Sequence, residues 1–203
     1  VSENPLASSQ PNRRIAQFQL LEHLGEGRYG SVWKARDTKL DRIVAVKIPR
    51  QRAASQRQVD LFFREARAVA QMRHPNIVSI YEIGREGDTI FMATEFIQGV
   101  NLREFLDSRG PRTPEKAAEF CAKVAEGLAC AHEAGVIHRD LKPSNILVDV
   151  RGQPHVADFG LAKRQDVDLT LTVEGQVLGT PAYMSPEQAE GQARSADHRT
   201  DIY

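Results

Sequence analysis

His138-Arg139-Asp140-Leu141-Lys142-Pro143-Ser144-Asn145, followed after a short interval by Asp158-Phe159-Gly160, decides how this chain is read. The run holds a carboxylate placed to act as a base, an ammonium, and two further oxygen ligands. Those groups suit the transfer of a phosphoryl group to a hydroxyl, where positioning and charge stabilisation do most of the work. Asp158-Phe159-Gly160 alone would read as a turn, since Asp and Gly both favour one. Asp140 and Asn145 nearby change that reading to one of two metal-facing oxygens, Asn145 and Asp158, beside a base.

Working outward, the segment before this loop is helical. Thr113 is placed to cap a helix that begins at Pro114, where a missing amide hydrogen costs nothing. Ala117, Cys121, Val124 and Leu128 share one face, and Gly135 is a stop signal. Cys121 is therefore expected in the core. Further upstream the pattern is that of a sheet. Phe18, Leu20, Leu21 and Leu24 lead into Gly25-Glu26-Gly27-Arg28-Tyr29-Gly30, Ser31 to Ala35 return antiparallel, and Ile43 to Ile48 form a third strand. Val59, Phe62, Phe63, Ala66, Val69 and Ala70 recur at helical spacing, and two more strands are predicted near 77–83 and 89–96. Residues 1–14, with two prolines and three serines, form a flexible lead-in without a fold of their own.

Gly25, Gly27 and Gly30 satisfy G-x-G-x-x-G, a pattern shared by unrelated nucleotide folds. A dinucleotide fold would need the third glycine to open a helix, whereas Val32 and Trp33 continue as a strand. A Walker loop would need a Lys-Ser or Lys-Thr pair that is absent here. A glycine hairpin between two strands remains, able to lay backbone amides over phosphates while Val32 packs on a base. Lys47 alone reads equally as a lysine snorkelling from a sheet edge, and Glu65 as a solvated helix carboxylate. Together they suggest an ion pair between strand and helix that fixes the ammonium for phosphate binding.

The chain has 203 residues, of which 41% are hydrophobic and 27% charged, an ordinary globular composition able to bury a sizeable core. Lys plus Arg equals Asp plus Glu at 27 each, so nothing in the balance argues for a nucleic-acid or anionic-membrane partner. Two cysteines make neither a disulfide framework nor a metal knuckle. No apolar run approaches a membrane span, and a reducing cytoplasmic setting is expected, with an anchor outside this chain left open.

Taken in order, Leu24 to Val32, Val44-Ala45-Val46-Lys47, Glu65, the loop from His138 to Asn145, Asp158-Phe159-Gly160 and Ser185-Pro186-Glu187 resemble a eukaryotic-type serine/threonine protein kinase, in the form its bacterial members take. The likeness runs from about Phe18 to the end. It implies an α+β, bilobal fold with a complete N-lobe and hinge over 15–97 and a partial helical C-lobe over 98–203, continuing beyond Tyr203 in relatives. It also implies transfer of the γ-phosphoryl group of ATP, with Mg2+, to serine or threonine hydroxyls of protein substrates. On that resemblance Asp140 is the base, Lys142 neutralises the transferred group, and Lys47 with Glu65 holds phosphates. Asn145 and Asp158 take Mg2+. Leu24, Gly25, Gly27, Gly30, Val32, Ala45, Thr94, Glu95, Ile97, Asn101 and Leu147 surround the nucleotide, with Asn101 facing the ribose.

The same likeness makes 161–184 an activation segment with Thr172 or Thr170 as phosphosite, beside Arg139 and Lys163, and Thr180 shaping the acceptor pocket. His138, Phe159, Val69 and Ile80 resemble a packed apolar column. Asp201 resembles a buried aspartate that accepts amides of the catalytic loop. The alternative is a nucleotide-binding or docking fragment without catalysis. Oligomeric state is not legible.

Overall fold

A computed structural model describes residues 13–27, 30–49, 56–110, 112–159, 181–191 and 196–203. The chain divides into two compact units, Val1–Ala54 with Tyr81–Phe96, and Ser55–Ile80 with Ile97–Tyr203. The expected first lobe over 15–97 treats one stretch as continuous, whereas the helix within it groups with the second unit.

The first unit is built on an antiparallel sheet. Its strands are β1 (Arg14–Ile15), β2 (Phe18–Gly27), β3 (Gly30–Asp37) and β4 (Arg42–Pro49), joined by β5 (Ile80–Glu86) and β6 (Thr89–Glu95) in the order β1-β2-β3-β4-β6-β5. Alternation fixes which face is buried. Ala35 lies opposite Val44 and Val46 opposite Ala93, and these four pack with Ile15, Phe18 and Phe91 in one cluster. The Phe18 and Phe91 rings meet edge to face at 5.6 Å. Gly30 is obligatory for the sheet itself: its φ is +139°, and a Cβ there would sit 2.1 Å from the Ile48 carbonyl oxygen.

The strand predicted near 77–83 begins three residues later, at Ile80. Ile77 instead makes a parallel bridge to Val156 and is buried with the second unit's core. A short apolar run does not reveal which sheet claims its first residues.

The second unit contains α1 (Gln56–Gln71), β7 (Gly99–Asn101), α2 (Leu102–Arg109), α3 (Pro114–Glu133), β8 (Ile146–Asp149), β9 (Pro154–Val156) and α4 (Pro186–Ala189). Its core joins Val69 and Met72 with Ile77, Val124, Leu128, Ala131, Ile146, Val156 and Phe159. α3 starts as its caps predict, with Thr113 Oγ1 accepting from the Lys116 amide and Pro114 at the first position. It stops before Gly135, whose φ is +72°. Its buried stripe is Val124, Gly127, Leu128 and Ala131, which leaves Cys121 exposed at the margin. The expectation of a core Cys121 is corrected: the stripe centres on Val124 and Ala131, and Cys130, partly buried, packs on the core instead. Among the described residues no helix is long and apolar enough to cross a membrane.

Candidate active site

The loop from His138 to Asn145 lies in the second unit, between α3 and β8, and its shape is set by hydrogen bonds from distant chain. Asp201 is buried, and its carboxylate accepts the His138 amide at 2.7 Å on Oδ2 and the Arg139 amide at 2.7 Å on Oδ1. His132 Nε2, from the last turn of α3, reaches the same carboxylate at 2.8 Å. Charge-assisted bonds of this kind are short and strong, and they orient two consecutive amides of the loop. The role the resemblance implied for Asp201 is thus matched by its geometry.

His138 is fully buried and tied on both ring nitrogens. Nε2 lies 2.9 Å from the Ala157 carbonyl oxygen, which can only accept, and Nδ1 accepts the Asp140 amide at 3.2 Å. The imidazole is therefore the neutral Nε2–H tautomer, with no nitrogen left for proton transfer. Its ring lies 4.9 Å from that of Phe159, which shares a core cluster with Val69 and has Ile80 packed nearby. Of the expected column, His138 and Phe159 are in contact, and Val69 and Ile80 belong to or pack on the cluster that holds Phe159.

Three of the loop's functional side chains meet. Lys142 Nζ is 3.0 Å from Asp140 Oδ2. Asn145 Nδ2 donates to the Asp140 carbonyl at 2.8 Å and to Asp140 Oδ2 at 3.2 Å. These bonds use the nitrogen of Asn145 and leave Oδ1 as its remaining oxygen acceptor. The Ala157 amide donates to the Asn145 carbonyl at 2.9 Å, so both polar backbone groups of Ala157 are anchored to the loop. Asp158 follows directly, with a φ of +63° and an exposed side chain. A non-glycine residue in that conformation is strained and is held by its surroundings.

In the first unit, register places the expected nucleotide residues on one sheet face. Val32 is opposite Lys47, Ala45 is opposite Thr94, and Lys47 follows Ala45 by two residues, so the four side chains project on the same side. Gly25 pairs with Val32, and Gly27 with Gly30, at the turn end of β2 and β3. Leu24 is exposed beside them, and Glu95 ends β6. Lys47 is partly buried, and burial lowers its ammonium to a pKa of about 8.

In the second unit, Asn101 is the register partner of Leu147, and Ile97 lies between β6 and β7. Asn101 also caps α2, its Oδ1 accepting the Glu104 amide at 3.0 Å, a structural role not foreseen from the sequence. Glu65 lies in α1, but its side chain is outside the described residues, as are Gly160, Lys163, Thr170, Thr172 and Thr180. Sequence reasoning missed two contributors to the loop, His132 and Gln188. Gln188 was signalled by Ser185-x-x-Gln188, the spacing of a capping box, which marks both residues as partners of a helix start.

The protein kinase domain model matches residues 18–203. The chain belongs to the protein kinase family. It is 39% identical over 193 residues to the serine/threonine-protein kinase PrkC of Bacillus subtilis, covering 94% of this chain and 29% of that protein. It is 42% identical over 189 residues to pkn3 of Myxococcus xanthus, covering 89% and 34%, respectively. Over all 203 residues it is 39% identical to PknL of Mycobacterium tuberculosis H37Rv, of which it covers 49%. This kinase chain therefore spans between roughly a quarter and a half of these curated relatives.

Proposed function

We propose that the protein transfers the γ-phosphoryl group of ATP to serine and threonine hydroxyls of other proteins. The observation that carries this reading is the meeting of Asp140, Lys142 and Asn145 in a loop whose backbone is held from outside. Asp140 is the acceptor for the hydroxyl proton: the hydroxyl oxygen bonds to phosphorus as the bond to the ADP oxygen breaks. Lys142 offsets charge that develops on the transferred oxygens. Lys47 offers its ammonium to the phosphates, and Val32 and Ala45, on the same sheet face, offer apolar surface to the base. Asn145 Oδ1 and the exposed Asp158 carboxylate are the hard oxygen donors that would hold Mg2+, which would supply positive charge to the phosphates. A donor pair completed by phosphate and water fits its habit of using few protein ligands.

The relatives, all serine/threonine-protein kinases, support protein substrates. Use of ATP as the donor favours the cytoplasmic side as the place of the reaction. The test is Asp140→Asn in the full-length protein. Transfer of labelled phosphate to a protein acceptor should fall about 10²- to 10⁴-fold, the range for loss of a positioned base, with nucleotide affinity held within a few-fold. Equal incorporation by the two proteins would leave the alternative, nucleotide binding without catalysis by this loop.

A further inference from the structure

One peptide plane in the loop is gripped on both edges. The plane joining Arg139 to Asp140 has its amide hydrogen on His138 Nδ1 at 3.2 Å, and its carbonyl oxygen accepts from Gln188 Nε2 at 2.8 Å. Arg139 has a φ of +64°, a conformation that non-glycine residues adopt at a cost, so the plane has reason to rotate unless held. Asp201 fixes the amide on the other side of Arg139. Rotation of the Arg139–Asp140 plane would swing the Asp140 Cα and its carboxylate away from Lys142 and Asn145.

We propose that Gln188 is a positioning residue for the catalytic base: its amide sets the direction of Asp140 through the Arg139 carbonyl. Gln188 sits on α4, directly after Ser185-Pro186-Glu187, and its Oε1 accepts the Ser185 amide at 3.2 Å. A single side chain thus ties the start of α4 to the plane that carries the base. Displacement of α4 disengages the base without any change in the residues that touch substrate.

The two bonds of Gln188 can be separated chemically. Gln188→Glu keeps an oxygen for the Ser185 amide but has no hydrogen to donate, and it sets an anion against the Arg139 carbonyl. Gln188→Met loses both bonds at similar volume. In the full-length protein, Gln188→Glu should lower kcat by about tenfold or more, the effect of a lost, partly buried hydrogen bond plus repulsion. KM for ATP should stay within twofold and the melting temperature close to wild type. Amide exchange at Asp140, measured without nucleotide, should quicken at least tenfold in both variants.

This inference rests on the proposed kinase reaction for kcat but not for exchange. A wild-type protein without phosphoryl transfer would overturn the reaction alone, leaving exchange to decide the role of Gln188. Unchanged Asp140 exchange and kcat in Gln188→Glu would overturn the inference. So would a kcat that falls only in proportion to the folded fraction.

Discussion

The catalytic loop and the nucleotide-facing strands are held in place by opposite means. Val32, Ala45, Lys47 and Thr94 are aligned by an antiparallel ladder in which β3 and β4 are paired from Gly30–Pro49 to Asp37–Arg42 without a break. Apart from Gly30, whose backbone admits no Cβ, a single side chain in this ladder can change and the register survives, because backbone bonds on either side maintain it. The loop has no such redundancy. Its amides at 138 and 139 depend on one carboxylate 62 or more residues away, and the carbonyl of Arg139 on one glutamine. Substitutions in the sheet should therefore cost their own chemistry alone, whereas substitutions of the loop's props should disable residues they never touch.

The largest effect that would break this contrast belongs to Asp201. Asp201→Asn replaces one acceptor oxygen with a donor, so one of the two loop amides, already facing a carboxylate oxygen at 2.7 Å, would face a hydrogen instead. A buried donor left unsatisfied costs about 1 to 3 kcal/mol, more where the lost acceptor was charged. Stability from urea unfolding should fall by that amount. Turnover should drop on the order of a hundredfold, since displacing a base by even an ångström has effects of this size. Wild-type turnover at reduced stability would mean that the loop keeps its shape unaided.

This contrast also explains what was legible in the sequence. Strand identity at 18–24, 31–35 and 43–48, the α3 caps and the loop's own side chains all declare themselves within a few residues. Ladder register then follows from alternation. Gln188 and His132 are different, because their meaning lies in groups 49 and 69 residues distant, and neither is unusual where it stands. Cys121 misled because four residues at helical spacing define a face only to within part of a turn. Asn101 was read as a ligand for the ribose, although Asn is also a strong N-cap and Leu102 opens a helix at once.

A smaller effect tests the sheet. Lys47 titrates near 8, below its usual 10.5, because burial disfavours the charged form. Two consequences run in opposite directions through the same window. Between pH 8 and 10.5 the unfolded chain holds more protons at this position than the folded one, so this group's contribution to stability rises with pH. The ammonium is meanwhile being lost from the folded protein. Since kcat/KM reports the free enzyme, its value for ATP should fall by up to about tenfold per pH unit above 8. Lys47→Met should lower kcat/KM at neutral pH and flatten that limb. A limb that persists in the variant would assign the titration to another group.

The smallest expected effect decides between two uses of Asn101. Its Oδ1 caps α2 through the Glu104 amide, and its strand partner is Leu147. Asn101→Ala removes the cap and any sugar contact together, and should cost about 1 kcal/mol of stability. Asn101→Ser retains a capping oxygen on a shorter side chain, so stability should return to within a few tenths of a kcal/mol of wild type. Affinity for ATP, measured beside affinity for 2′-deoxy-ATP, then separates the roles. With capping alone, Asn101→Ser binds both nucleotides as wild type does. A ribose contact would appear as a wild-type preference for ATP that the serine variant has lost, even though its helix is intact.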